Sequence, residues 1–160
     1  MGKKEAKTNA IRILETMKIP YEARTYECDD FVDAAQIADK LGLDHAGMYK
    51  TITTVGKSGG YYVFVVPIDD EIDFKKAAKA AGEKSVEMIH VKDINKITGY
   101  IRGGCTAIGM KKDYPTVLDE SANAQEKIIV SGGKNGIQIE LTTEDYLKAC
   151  KGKTADITLR

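Results

Sequence analysis

Apolar positions Ala10, Ile13, Leu14 and Met17 recur at the spacing of one helical face, behind a cap at Thr8 or Asn9 and ahead of Pro20. They predict an amphipathic helix, and residues 21–26 then predict a short strand. A second helix is expected from a cap at Asp33, with Ala34, Ile37, Ala38 and Leu41 on its inner face and Gly42 at its end. Residues 48–55 are rich in strand formers, and the turn GKSGG joins them to the almost unbroken apolar run at 61–66. Such a run is expected of a central strand covered on both faces.

Further along, Asp73 caps a helix through Phe74, Ala77, Ala78 and Ala81 that Gly82 closes. A strand over 85–89 and a short helix over 93–97 follow, the latter stopped by Gly99. Residues 127–141 read as strand, turn, strand around SGGKNG, with Ile137, Ile139 and Leu141 alternating with polar residues. Thr142 with Asp145 resembles a capping box for a last helix through Cys150, and 155–159 can add a final strand. A hairpin too tight for a parallel crossover, set among helices, predicts an α+β fold, a mixed β-sheet with helices packed on it. One domain is expected over 1–160, because 160 residues build one well-buried core.

Composition narrows the function classes. Hydrophobic residues make up 42% and charged residues 30%, which excludes collagen-like and disordered classes. Lys and Arg balance Asp and Glu at 24 each, so a nucleic-acid partner would need a local basic patch rather than a basic surface. No apolar run of membrane-spanning length occurs and the basic N-terminus has no apolar segment behind it, so a cytoplasmic protein is expected. Cys28, Cys105 and Cys150 lie far apart, with no CxxC or HxxxH spacing near them or near His45 and His90. No metal or other cofactor is expected, and the thiols read as buried or half-buried groups rather than nucleophiles.

Candidate chemistry concentrates in TGYIRGGCTAIGMKK, residues 98–112, where Gly99, Gly103, Gly104 and Gly109 sit among Arg102, Lys111 and Lys112. Glycines let amide N–H groups converge on a phosphate or on the oxyanion of an attacked ester. A bulged strand with a Gly-rich turn is the competing reading. SGGKNG, residues 131–136, invites the same phosphate reading, but a short Gly and Asn turn between alternating strands reads first as a hairpin. Lys50 lies in the β-rich MYKTIT, on the same face as Met48 and Ile52, either lining a cavity or laying its stem over apolar surface.

Taken in order, KTNAIRILE, IPYEARTYE, AAQIADKLGLD, MYKTI, KKAAKAAGEKSVEM, TGYIRGG, IGMKK and VSGGKNGIQIEL resemble the successive blocks of the YbaK family, over about residues 7–147. That family includes the YbaK and ProX deacylases, proteins labelled EbsC, and the insertion domain of bacterial prolyl-tRNA synthetase. The resemblance implies trans-editing of mischarged tRNA(Pro): cysteine removal for YbaK, by a substrate thiol that attacks its own carbonyl, and alanine removal by water for ProX. A non-catalytic module binding nucleotides or prolyl-tRNA synthetase is the alternative from another class.

The family's pocket lysine falls on Lys50, with Thr51 beside it and its first-strand tyrosine on Tyr26; the Gly-rich wall falls on Gly99, Tyr100, Gly103, Gly104 and Gly109. Lys50, Gly103 and Gly104 are thus the expected catalytic groups. Tyr26, Thr51, Gly99, Tyr100 and Gly109 are the expected substrate-binding ones, Tyr26 having a core role as its alternative. Arg102, Lys111, Lys112 and Lys134 are the candidate tRNA contacts. One departure stands out: where relatives commonly carry Ser-Pro, this chain reads Thr106-Ala107, which removes a fixed φ from the wall.

Overall fold

The computed structural model describes residues 7–26 and 34–159; Cys28 and the expected cap Asp33 lie outside them. Helix α1 (Asn9–Thr16) is capped by Thr8, whose hydroxyl accepts from the Ile11 amide, and it buries Ala10, Ile11 and Leu14. Met17, expected on the inner face, is 40% exposed. It caps the helix instead, and Lys18 at φ +59° turns the chain so that Ile19 is buried in its place.

Strand β1 (Glu22–Thr25) leads to α2 (Ala34–Leu41), which ends at Gly42 with φ +67°. A 3-10 turn, His45–Gly47, delivers the chain into β2 (Tyr49–Gly56), and a tight turn returns it as β3 (Tyr61–Pro67). Val63, Phe64, Val65 and Val66 are all fully buried. Val63 and Val65 pack with Leu14, Ile108 and Leu118, while Phe64 and Val66 pack with Ile72, Ala77 and Ile157. Apolar cores on both faces explain why the run does not alternate.

Asp73 caps α3 (Phe74–Ala81) through the amides of Lys75 and Lys76, and Gly82 closes it in the left-handed conformation. Then follow β4 (Val86–Met88), α4 (Ile94–Thr98), β5 (Thr116–Asp119), β6 (Lys127–Ser131), β7 (Ile137–Thr142), α5 (Thr143–Cys150) and β8 (Lys153–Ala155). The strands form two sheets rather than one. A five-stranded mixed sheet runs β4-β2-β3-β5-β8, and a three-stranded antiparallel sheet runs β1-β7-β6. A single parallel bridge, Met48 to Ile129, joins the entry of β2 to β6. The fold is α+β, and the expected mixed sheet is its larger part.

The C-terminal strand lies earlier than the sequence pattern predicts. Residues 153–155 pair with β5, whereas Ile157 is fully buried and Thr158 makes only an isolated bridge to Ile72. Buried Asp119, at the end of β5, accepts the Ile157 amide and draws the chain inward, out of the ladder. Among the described residues no helix is long and apolar enough to cross a membrane.

His45 pins α2 to the segment after β3. Its Nε2 lies 2.9 Å from Asp39 and its Nδ1 2.9 Å from Asp69. The hydrogen bond to Asp39, then that to Asp69, raises the imidazole's pKa above its ordinary 6.5. Only the imidazolium has two N–H donors, so only the charged form satisfies both carboxylates. A raised folded-state value stabilises fully below the unfolded pKa and is lost as pH rises through the folded one. His45→Ala is therefore expected to lower the melting temperature at pH 5.5–6, with the deficit shrinking above pH 7. A deficit independent of pH in thermal scans would show that the pin is uncharged.

Candidate functional site

A partly open cavity of about 330 Å³ lies where the two sheets meet. Tyr49, Lys50, Thr51, Ile52 and Thr53 of β2 line it, and Ile37 of α2 closes one side. Met88, Ile89, Val91 and Ile94 form an apolar flank, and Arg102, Gly103 and Cys105 a polar one, completed by Ser131 and Gln138 of the β6–β7 hairpin.

Lys50 is half-buried, and its ammonium donates to the Ile68 carbonyl at 3.3 Å. Among the described residues it makes no ion pair. Its charge is therefore held by one neutral acceptor and remains available to an anion entering the cavity. Gln138 is 95% buried, being 5% exposed, and its amide has no partner among the described residues. Ser131 accepts the Gly133 amide and still lines the cavity. Ser131 and Gln138 were missed by sequence reasoning. The signal was their flanking of a Gly-rich hairpin, but only tertiary packing brings that hairpin to β2.

The Gly-rich segment is a closed loop. The Lys111 amide donates to Thr98 at 3.0 Å, and the Tyr100 hydroxyl donates to Ile108 at 2.6 Å. These bonds, with Ala107 and Ile108 packed in the core, hold the loop without a proline ring at Ala107. Burial pushes the Tyr100 phenol up to about 12, so it stays a neutral donor. Gly99, Gly103 and Gly109 have φ near +87°, +86° and +76°, a region in which a side chain is strained.

Two Gly-rich segments, far apart in sequence, meet backbone to backbone. A Cβ on Gly104 would lie 2.5 Å from the Lys134 Cα, and the Asn135 side-chain amide donates to the Arg102 carbonyl at 3.3 Å. The start of α1 secures both. Thr8 donates to the Gly132 carbonyl at 2.6 Å, and Asn9 to that of Gly109 at 2.7 Å. SGGKNG is thus the hairpin turn its pattern predicts and also a brace for the cavity wall.

Of the expected site residues, Lys50, Thr51, Arg102 and Gly103 come together in the lining. Gly104 does not line the cavity, and its amide is spent on the Ile101 carbonyl, 3.0 Å away. Tyr26 packs beside Ile37, Met48 and Ile129, with its hydroxyl buried and unpaired among the described residues. Tyr100 braces the loop from within, while Gly99 and Gly109 shape its two ends. Lys134 packs its backbone against Gly104, Lys111 lies against Gly99 and Lys112 is exposed, all three outside the lining. Cys105 lines the cavity, but burial raises its thiol pKa, and neither His45 nor His90 is in the lining to act as a base.

A half-buried cation and a glycine in the left-handed backbone region thus share the lining of one small cavity in an α+β scaffold. The chain belongs to the aminoacyl-tRNA editing domain family, whose profile it matches over residues 28–149. It is 46% identical over 99% of its length, and 97% of the relative's, to an Enterococcus faecalis protein named as a candidate Cys-tRNA(Pro)/Cys-tRNA(Cys) deacylase, EbsC. In fold it is similar to a crystal structure described as a candidate trans-editing enzyme for prolyl-tRNA synthetase, at TM-score 0.82 and 21% identity, covering 98% of this chain and 100% of that one. A hypothetical protein of known structure matches at TM-score 0.84 and 19% identity, over 94% of this chain and 99% of that one.

Proposed function

We propose that this protein is a trans-editing deacylase that removes cysteine from Cys-tRNA(Pro), and from Cys-tRNA(Cys). The observation that carries the reading is that Lys50 and Gly103 line one cavity, in a chain 46% identical to a protein bearing that name. An aminoacyl ester is already activated, so orientation and oxyanion stabilisation suffice. In the proposed step the substrate thiol attacks its own ester carbonyl. A C–S bond forms, the C–O bond to ribose breaks, and the thiol proton passes to the ribose oxygen, leaving free tRNA and a cyclic thioester. Lys50 balances negative charge on the ester or the adjoining phosphate, and Gly103 N–H meets the carbonyl oxygen. Gln138 and Ser131 offer donors and acceptors to the substrate's amine and ribose. Prolyl-tRNA synthetase supplies the mischarged substrate, which places the reaction in the cytoplasm.

A deacylation panel of cysteinyl-, alanyl- and prolyl-tRNA(Pro) tests the proposal, with cysteinyl-tRNA expected to be cleared fastest. Preferential clearance of alanyl-tRNA would replace the thiol-assisted step with hydrolysis by water. Because Arg102 lines the cavity and Lys134 packs its backbone against Gly104, tRNA binding is also expected to weaken as salt rises, with log Kd against log salt giving a slope of roughly 1–2. A flat dependence in a filter-binding titration would exclude phosphate contacts.

A further inference from the structure

Among the described residues, six large apolar side chains are exposed; two of them, Met88 and Val91, line the cavity, and a third, Ile101, is the chain neighbour of Arg102, which also lines it. Met88 is 59% exposed, Val91 57% and Ile101 53%. Ile101 itself lies outside the lining, one position before Arg102. Lys92, in the same turn as Val91, is exposed as well.

We infer that this rim is a platform for the unpaired nucleotides that precede the aminoacylated adenosine, a reading that rests on the editing function proposed above. Continuity argues for it. A cavity of about 330 Å³ sits at the small end of ligand sites, so it takes one terminal unit and leaves the preceding nucleotides at the mouth. Bases of any identity present an apolar face, which aliphatic and thioether side chains can cover, and the cations of Arg102 and Lys92 suit the phosphates between them. A protein partner fits poorly: a stable interface buries about 800 Å² on each side, far more than three separate side chains provide.

The test uses the full chain and its Ile101→Gln variant, whose position lies outside the cavity lining. Affinity is measured for an acceptor-stem RNA with its unpaired 3′ end and for the same helix trimmed of it. The parent is expected to prefer the intact RNA by roughly tenfold and Ile101→Gln to lose most of that preference, with Met88→Gln added to it losing the rest. Turnover of 3′-O-cysteinyladenosine by Ile101→Gln is expected to equal the parent's. Equal preference in parent and variant overturns the inference, as does a defect that appears only when prolyl-tRNA synthetase is added. Binding is read independently of turnover. A parent that shows the rim-dependent preference yet deacylates nothing would therefore retain the platform and refute the editing function.

Discussion

Replacing Lys50 with alanine is expected to lower kcat/KM for cysteinyl-tRNA(Pro) by about 10²–10³-fold, the usual cost of removing one preorganised charge-stabilising group. Stability should hardly change. The ammonium is half-buried and makes a single 3.3 Å hydrogen bond, to a backbone carbonyl, so the melting temperature should stay within about 2 °C of the parent. Lys50→Met separates charge from packing, because it keeps most of the aliphatic stem while deleting the cation. Single-turnover deacylation should find the two variants equally impaired. If Lys50→Met retains the parent rate, the stem rather than the charge matters; if Lys50→Ala does so too, Lys50 has no part in the reaction.

Lys50 is a candidate from its local pattern, a cation inside a β-rich segment, but that pattern leaves two readings open and only the family resemblance assigns it to the pocket. The caps are local too. Thr8, Asp73 and Gly82 act within a turn of their own helices, and each occupies the position its type predicts. β5 was not legible. Its four residues, TVLD, follow Pro115 and carry no alternation, because all four are buried between β3 and β8. Its pairing is parallel on both sides and draws on distant segments, which no window along the chain contains.

The site divides in the same way. Gly-rich composition marked the loop as a place of close approach, yet which glycine lends its amide and which gives up its side chain depends on what lies opposite. Gly103 opens to the cavity, while Gly104 faces the backbone of Lys134, thirty positions away in the chain. Gln138 follows the alternation of β7, and only the arrival of β2 next to β6 turns that position from a buried polar residue into part of a cavity wall. Tyr26 and Tyr100, expected to touch substrate, lie outside the cavity lining, the one packed beside Met48 and Ile129 and the other bonded across the Gly-rich loop.

Gly104→Ala is expected to damage both fold and reaction. The added Cβ would lie 2.5 Å from the Lys134 Cα, 2.8 Å from its carbonyl carbon and 2.9 Å from the Asn135 nitrogen, all backbone atoms that cannot rotate aside. Relief requires the two Gly-rich segments to part, against the Thr8 and Asn9 hydrogen bonds that hold each to α1. Overpacking of this kind costs about 1–3 kcal/mol, or roughly 2–12 °C in melting temperature for a chain of this size. Because Gly103 and Arg102 move with the loop, and a misplacement of about 1 Å can cost roughly 10²-fold, deacylation should fall further than stability alone explains. Gly42→Ala supplies the comparison. Its Cβ meets nothing within 4 Å and its only penalty is the φ of +67°, so it should cost about 1–2 kcal/mol while leaving the activity of the folded protein unchanged. A Gly104→Ala protein with parental melting temperature and rate would mean that the hairpin and the loop separate freely and that the cavity wall is set by something other than their contact.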